Sequence, residues 1–74
     1  MQPYQNSAGS SNIESYEIGD NYVKVGFSNG NIYVYTNDSA GEEIVDQMKG
    51  LAQSGNGLNG FINKYAKNSY AEIE

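Results

Sequence analysis

The stretch Val23–Thr36, VKVGFSNGNIYVYT, places two alternating apolar runs on either side of Asn29 and Gly30. An asparagine–glycine pair between such runs is typical of a two-residue type I′ hairpin turn, because both central residues of that turn need φ > 0. A two-residue loop also sets the register of the two strands. The predicted pairs are Phe27 with Ile32, Gly26 with Tyr33, Val25 with Val34, and Lys24 with Tyr35.

This register separates the side chains of the hairpin into two faces, since successive residues of a strand point to opposite sides of the sheet. One face carries valine, phenylalanine and isoleucine, and we expect it to be the core. The other face is the predicted binding surface of the protein. Its members are Tyr22, Lys24, Tyr33 and Tyr35.

Composition restricts the classes of function. A chain of 74 residues has room for one small domain. It contains no cysteine and no histidine, so disulfides, thiolate metal sites and a histidine base are excluded. Four lysines against nine acidic residues give a net charge of −5, which disfavours general nucleic-acid binding. No apolar run is long enough to span a bilayer and the N-terminus does not resemble a signal peptide, so we expect a cytoplasmic protein without membrane contact.

The N-terminal third contains a predicted tail and a predicted first strand. Residues 1–11 are polar and are expected to form a flexible tail. Residues 13–18 are expected to form a strand that turns at Asp20 and Asn21. Ile13 then falls on the outer face. The predicted pairs are Ile18 with Val23, Glu17 with Lys24, and Tyr16 with Val25.

Helical spacing replaces strand alternation after Thr36. Ser39 and Glu42 fit a capping box, which predicts a helix beginning near Ala40 and ending at Gly55. Its apolar stripe consists of Ile44, Val45, Met48, Leu51 and Ala52. A second helix is expected to begin near Gly57 or Leu58, with a stripe formed by Leu58, Phe61, Ile62, Tyr65 and Ala66.

These elements predict an α+β fold, in which a three-stranded antiparallel β-meander is followed by two α-helices packed on one face of the sheet. The expected domain spans residues 12–70. Residues 71–74 are expected to be frayed.

Two short motifs invite a functional interpretation but fit a structural one better. Gly55, Gly57 and Gly60 match G-x-G-x-x-G, yet a helix instead of a strand precedes them, so we interpret them as a helix-to-helix turn. The acidic residues around the start of the first helix could approach a cation, but dipole complementation on a solvated face explains them more simply. We therefore expect no metal, no cofactor and no catalytic residue. The acidic residues are Asp38, Glu42, Glu43 and Asp46.

The pair Tyr33 and Tyr35 is the strongest candidate for a binding motif. Aromatic side chains on an open sheet can stack unpaired RNA bases or anchor a protein partner, including a second copy of the chain. The structural alternative is that tyrosine has a high β-propensity and covers its own sheet. Lys64 and Lys67 form a secondary basic patch on the second helix, in a segment without acidic residues.

The chain resembles the KTSC family, whose members are small stand-alone bacterial domains and C-terminal domains of some lysyl-tRNA synthetases. The resemblance covers residues 10–65. It is carried by SSNI at 10–13, by SNG at 28–30, by IYVY at 32–35, and by Gly55 with Leu58, Asn59 and Ile62.

Membership of this family would imply a domain of unestablished function for which RNA binding has been suggested. Tyr33 and Tyr35 would be its YxY motif, and Asn59 would be structural, as a cap of the second helix or a tie to the sheet. Two features depart from the family. Leu58 stands where an aromatic residue is frequent, and Lys64 and Lys67 are fewer basic residues than is usual near the C-terminal helix.

Sequence reasoning therefore predicts a small non-enzymatic binding module. RNA is one possible partner, although the acidic net charge disfavours it. A protein partner or a homodimer is the alternative.

Overall fold

The computed structural model describes residues 1–7, 9 and 11–74. Ala8 and Ser10 belong to the predicted tail and lie outside the described residues. Ser10 is also the first position of the SSNI segment. The described residues form an α+β fold with one antiparallel sheet and a helical layer on one face. The elements in chain order are β1 (Gln2–Pro3), β2 (Ile13–Ile18), β3 (Tyr22–Phe27), β4 (Ile32–Thr36), α1 (Asn37–Ala40), α2 (Glu42–Ser54), α3 (Leu58–Phe61), a π-helical segment (Ile62–Ala66) and β5 (Glu72–Ile73).

The sheet in the described residues has five strands in the order β1-β2-β3-β4-β5, where the sequence predicts three. The three predicted strands form its centre. A two-residue strand is added at each edge: Gln2 and Pro3 pair with β2, and Glu72 and Ile73 pair with β4. Short runs of this kind carry too little alternation to be recognised from sequence.

The hairpin of β2 and β3 has the predicted register, with Tyr16 opposite Val25 and Ile18 opposite Val23. Ile13 differs from its prediction because the pairing shifts by one residue between Ile13 and Ser15. Such a bulge interrupts the alternation of side chains along the strand. Ile13 is consequently buried in the core instead of lying on the outer face.

The hairpin of β3 and β4 is one residue out of the predicted register. Its loop has three residues, 28–30, because the N–H of Phe27 donates to the C=O of Asn31 at 2.9 Å. The N–H of Gly30 donates to the C=O of Phe27 at 3.0 Å, and Gly30 has φ of 93°. Gly30 is the only residue of this loop with φ > 0. The prediction of a two-residue type I′ turn was therefore wrong.

A slip of one residue moves every side chain of a strand to the opposite face. Val25 pairs with Tyr33 and Val23 with Tyr35, while Val34 pairs with Lys24. Tyr35 is only 1 % exposed and belongs to the core. The predicted face of four residues therefore does not exist as a unit, since its tyrosines of β4 lie on the helix side of the sheet.

The first part of the helical layer has the predicted apolar stripe, but it begins differently from the prediction. Val45, Met48 and Ala52 of α2 are buried against the sheet, and Gly55 ends the helix in the left-handed conformation. The capping box lies one turn earlier than predicted, since Thr36 is the N-cap and exchanges hydrogen bonds with Ser39 at 3.0 Å. Glu42 instead begins α2, after a break at Gly41.

Together, α3 and the π-helical segment form what we call the C-terminal helix. It begins at Leu58, as predicted, after Gly57 with φ of 85°. Its buried residues are Leu58, Ile62 and Ala66, spaced by four. Tyr65 was predicted to lie in this stripe but is 55 % exposed. It packs against Phe61 instead, with ring centroids 5.0 Å apart.

The N-terminal segment contacts the rest of the fold. Tyr4 is buried, and its hydroxyl accepts a hydrogen bond from the N–H of Leu58 at 3.3 Å. Ser7 donates its N–H to the C=O of Gly55 at 2.8 Å. The polar composition of residues 1–11 did not indicate these contacts, because a single tyrosine carries the packing. None of the helices within the described residues has the length and hydrophobicity that a membrane span requires.

Candidate functional site

The outer surface of the sheet holds two of the predicted binding residues, Tyr22 and Lys24. The Tyr22 hydroxyl donates to the carboxylate of Glu17 at 2.8 Å, and this hydrogen bond raises the pKa of Tyr22. The Nζ of Lys24 lies 3.1 Å from the carboxylate of Glu74, and that hydrogen bond raises the pKa of Lys24. Both polar groups are thus engaged with neighbouring acidic residues of the same chain.

The other two predicted residues, Tyr33 and Tyr35, line a groove on the helix side of the sheet. The groove has a volume of about 300 Å³ and lies between the β3–β4 hairpin and the end of the C-terminal helix. We call it the aromatic groove. Its lining residues are Phe27, Asn29, Tyr33, Tyr35, Ile62, Asn63, Lys67, Asn68 and Tyr70.

Tyr33 organises the aromatic side chains of this groove. Its ring meets Phe27 edge-to-face at a centroid distance of 5.2 Å, and Tyr70 edge-to-face at 5.0 Å. The ring of Tyr35 is nearly parallel to that of Tyr33, at 6.5 Å. Edge-to-face pairs of this kind are favourable because the positive ring edge meets the negative ring face. The contacts hold Tyr33 in place while leaving aromatic surface open to a ligand.

Tyr35 is the most deeply buried tyrosine of the groove. Burial, together with the neighbouring phenols of Tyr33 and Tyr70, raises the pKa of Tyr35 to about 12. A phenol with so high a pKa stays protonated at neutral pH, and a protonated phenol is a hydrogen-bond donor. Tyr35 is only 1 % exposed, so it lines the groove as a neutral side chain that is almost fully buried.

Polar side chains surround the aromatic residues of the groove. Asn29 lies on the hairpin loop, while Asn63 and Asn68 lie on and just after the C-terminal helix. Lys67 is exposed at the same edge, and within the described residues it forms no ion pair. No carboxylate is among the described residues that line the groove. A ligand would thus meet amides, phenols and one positive charge.

The structure separates the two lysines of the predicted basic patch. Lys67 lines the aromatic groove, whereas the Nζ of Lys64 lies 5.3 Å from the ring centroid of Tyr65. Lys64 is therefore associated with the exposed Tyr65, which packs against the partly buried Phe61. Tyr33, Tyr35 and Lys67 are the predicted site residues that the fold brings together.

Asn59 does not cap the C-terminal helix. The N-cap residue is Gly57, and it makes no side-chain hydrogen bond to the start of the helix. The hydroxyl of Tyr4 accepts the first helical amide, from Leu58, in that position. Asn59 instead lines a separate polar cleft with Tyr4, Asn6 and other residues of the N-terminal segment.

The groove also contains residues that sequence reasoning missed. Phe27 was placed in the core, and Tyr70 was assigned no role. Side chains alternate along a strand, so Phe27 lies on the same face as Val25, which is the helix side. A prediction with a three-residue loop would have placed Tyr33 on that face as well. No local sequence pattern predicts the position of Tyr70, because that position depends on the pairing of β5 with β4.

The acidic residues at the start of the helical layer are exposed. Among the described residues, no group of three or more acidic, histidine or cysteine side chains could hold a metal ion.

Comparison with known proteins returned no matching family model, no matching curated protein and no matching solved structure.

Proposed function

We propose that this protein is a small non-catalytic binding module whose ligand occupies the aromatic groove. The observation that carries the proposal is the convergence of Phe27, Tyr33, Tyr35 and Tyr70 with Lys67 on one concave surface. Binding sites are typically concave and largely apolar, with a few polar groups that orient the ligand. The groove has this composition.

The chemistry of the groove supports binding over catalysis. General acid–base catalysis needs a group with a pKa near the working pH, and burial raises the pKa of Tyr35 in the groove to about 12. Nucleophilic catalysis needs an activated nucleophile with a base beside it, and the sequence has neither histidine nor cysteine. Phenols and amides are instead common where proteins recognise ligands by contact.

The resemblance to KTSC domains stays a prediction, and so does a cytoplasmic location. The YxY motif of that resemblance, Tyr33 and Tyr35, lies in the proposed groove. Of the partner classes considered from the sequence, RNA and a protein partner both remain compatible with aromatic contacts. Homodimerisation is the third.

The proposal can be tested with small probes that report on the groove itself. We would titrate the ¹⁵N-labelled full chain with uridine, with benzamide and with N-acetylproline methylamide, and follow amide shifts by NMR. We expect at least one probe to shift the amides of Asn29, Asn63 and Asn68. Clustered shifts elsewhere, or none at all, would contradict the proposed site.

Two exposed tyrosines provide a matched pair of variants for this test. Tyr70→Ala removes an aromatic wall of the groove, whereas Tyr65→Ala removes an equally large side chain outside it. Aromatic residues at the centre of an interface often contribute more than about 1 kcal/mol to binding. We therefore expect Tyr70→Ala to weaken probe binding about fivefold or more and Tyr65→Ala to leave it unchanged.

A further inference from the structure

The positions of the lysines argue against a polynucleotide as the ligand of the groove. Lys24 is paired with Glu74, and the Nζ of Lys49 donates to the C=O of Asp20 at 3.1 Å. Neither is among the residues that line the groove, to which only Lys67 contributes a charge among the described residues. Binding a polynucleotide relies on several phosphate contacts, which one lysine on a chain of net charge −5 cannot supply. A peptide needs no such set of cations.

The aromatic side chains of the groove are packed against one another around Tyr33. Phe27 and Tyr70 each stand steeply against Tyr33, at interplanar angles of 75° and 89°. At centroid distances of 5.2 and 5.0 Å both rings contact Tyr33, so the three side chains form one continuous aromatic surface. Grooves lined by aromatic residues bind polyproline II segments, because that conformation is already extended and costs little entropy to order.

The polar edge of the groove matches the backbone of the same conformation. A polyproline II segment has no internal hydrogen bonds, so its carbonyl groups are free to accept. Asn29, Asn63 and Asn68 carry amide donors, and all three side chains are exposed. Proline itself brings no N–H that the groove would have to satisfy.

Lys67 adds a preference for charge. It is exposed at the groove without an ion-pair partner in the described residues, and no carboxylate lies beside it in the lining. A single carboxylate on the ligand would complement it. The negative charge elsewhere on the chain is screened over distances beyond about 8 Å at physiological ionic strength.

We propose that the aromatic groove binds an extended proline-containing peptide that places an acidic residue at Lys67. This inference rests on the proposed function, because it assigns a ligand class to the same groove.

The test uses four probes with the ¹⁵N-labelled full chain. The first is an acetylated, amidated octapeptide, Pro-Pro-Glu-Pro-Pro-Glu-Pro-Pro. The second replaces both glutamates by lysine, and the third keeps the glutamates but replaces every proline by alternating glycine and serine. The fourth is a single-stranded oligouridylate. Dissociation constants come from the amide shifts at low and at moderate salt.

We expect the first peptide to shift the groove amides and to bind more tightly than the other three probes. Lys67→Gln should weaken its binding by about two- to fivefold, as expected for an exposed ion pair, and Lys64→Gln should have no effect. Circular dichroism of both variants checks that they are folded.

Three results would overturn the inference. Equal binding of the glycine–serine peptide would remove the role of proline, and equal binding of the lysine peptide would remove the role of Lys67. Tighter binding of oligouridylate in the groove would assign the site to nucleic acid. In each case the small probes can still bind the groove, so the proposed function would survive. If no small probe binds the groove, the proposed function itself fails.

Discussion

Strand β3 has a different type of loop at each of its ends. Toward β2, residues Asp20 and Asn21 form a two-residue loop in which neither has a positive φ, and the N–H of Gly19 donates to the C=O of Tyr22 at 3.0 Å. Toward β4, residues 28–30 form a three-residue loop closed by Gly30 with φ of 93°. One additional loop residue decides which side chains of β4 meet the helices.

The functional consequence of that additional residue is large. With two residues in the second loop, Val34 would face the helices, and Tyr33 and Tyr35 would lie beside Lys24. With three residues, the tyrosines contact the core and line the aromatic groove. The binding surface is therefore a product of the loop length as much as of the YxY motif.

The largest effect that tests this comparison is expected at Tyr35. Tyr35→Ala removes a side chain that is 1 % exposed, and truncating a buried aromatic residue costs about 3–5 kcal/mol of unfolding free energy. Val34→Ala removes a smaller side chain on the opposite face and should cost about 1–2 kcal/mol. Urea unfolding of both variants, followed by circular dichroism, measures the two costs. A larger cost for Val34→Ala would mean that β4 faces the other way.

The two hairpins differ in how much the sequence says about their register. For β2 and β3, apolar pairs and the opposite charges of Glu17 and Lys24 all favour one alignment, which is the observed one. For β3 and β4, the side-chain pairs favour no single alignment. In β4 valine and isoleucine alternate with tyrosine, and either set can cover a core. Alternation cannot choose between two apolar faces, so the choice was left to the turn.

Other parts of the fold differ in the same respect. The helix ends at Gly55 and Gly57 follow from a conformation that glycine adopts readily, and both were predicted. The edge strands and Tyr70 depend on contacts between the two ends of the chain and the sheet. Two-residue strands have no period to detect, so Tyr70, one of the four aromatic residues of the groove, could not be predicted.

A smaller effect is expected at the bulge of β2, which distinguishes the two edges of β3. Ile13→Ala removes a side chain that is 2 % exposed and should cost about 2–5 kcal/mol of unfolding free energy. Its neighbour Glu14 is exposed, and Glu14→Ala should change stability by no more than about 0.5 kcal/mol. Urea midpoints of the pair provide the measurement. If both variants unfold like the parent chain, the bulge is absent and Ile13 faces outward.

The smallest effects are expected within the second loop, where they separate the two turn types directly. Gly30→Ala forces a residue with a Cβ into the left-handed region and should cost about 1–2 kcal/mol of unfolding free energy. Asn29 has no positive φ, and its side chain accepts a hydrogen bond from the N–H of Asn31 at 3.0 Å. Asn29→Ala loses only this exposed hydrogen bond and should cost about 0.5 kcal/mol. A type I′ turn would require φ > 0 at both positions, so comparable costs for the two variants would restore the two-residue loop and return Tyr33 and Tyr35 to the outer face.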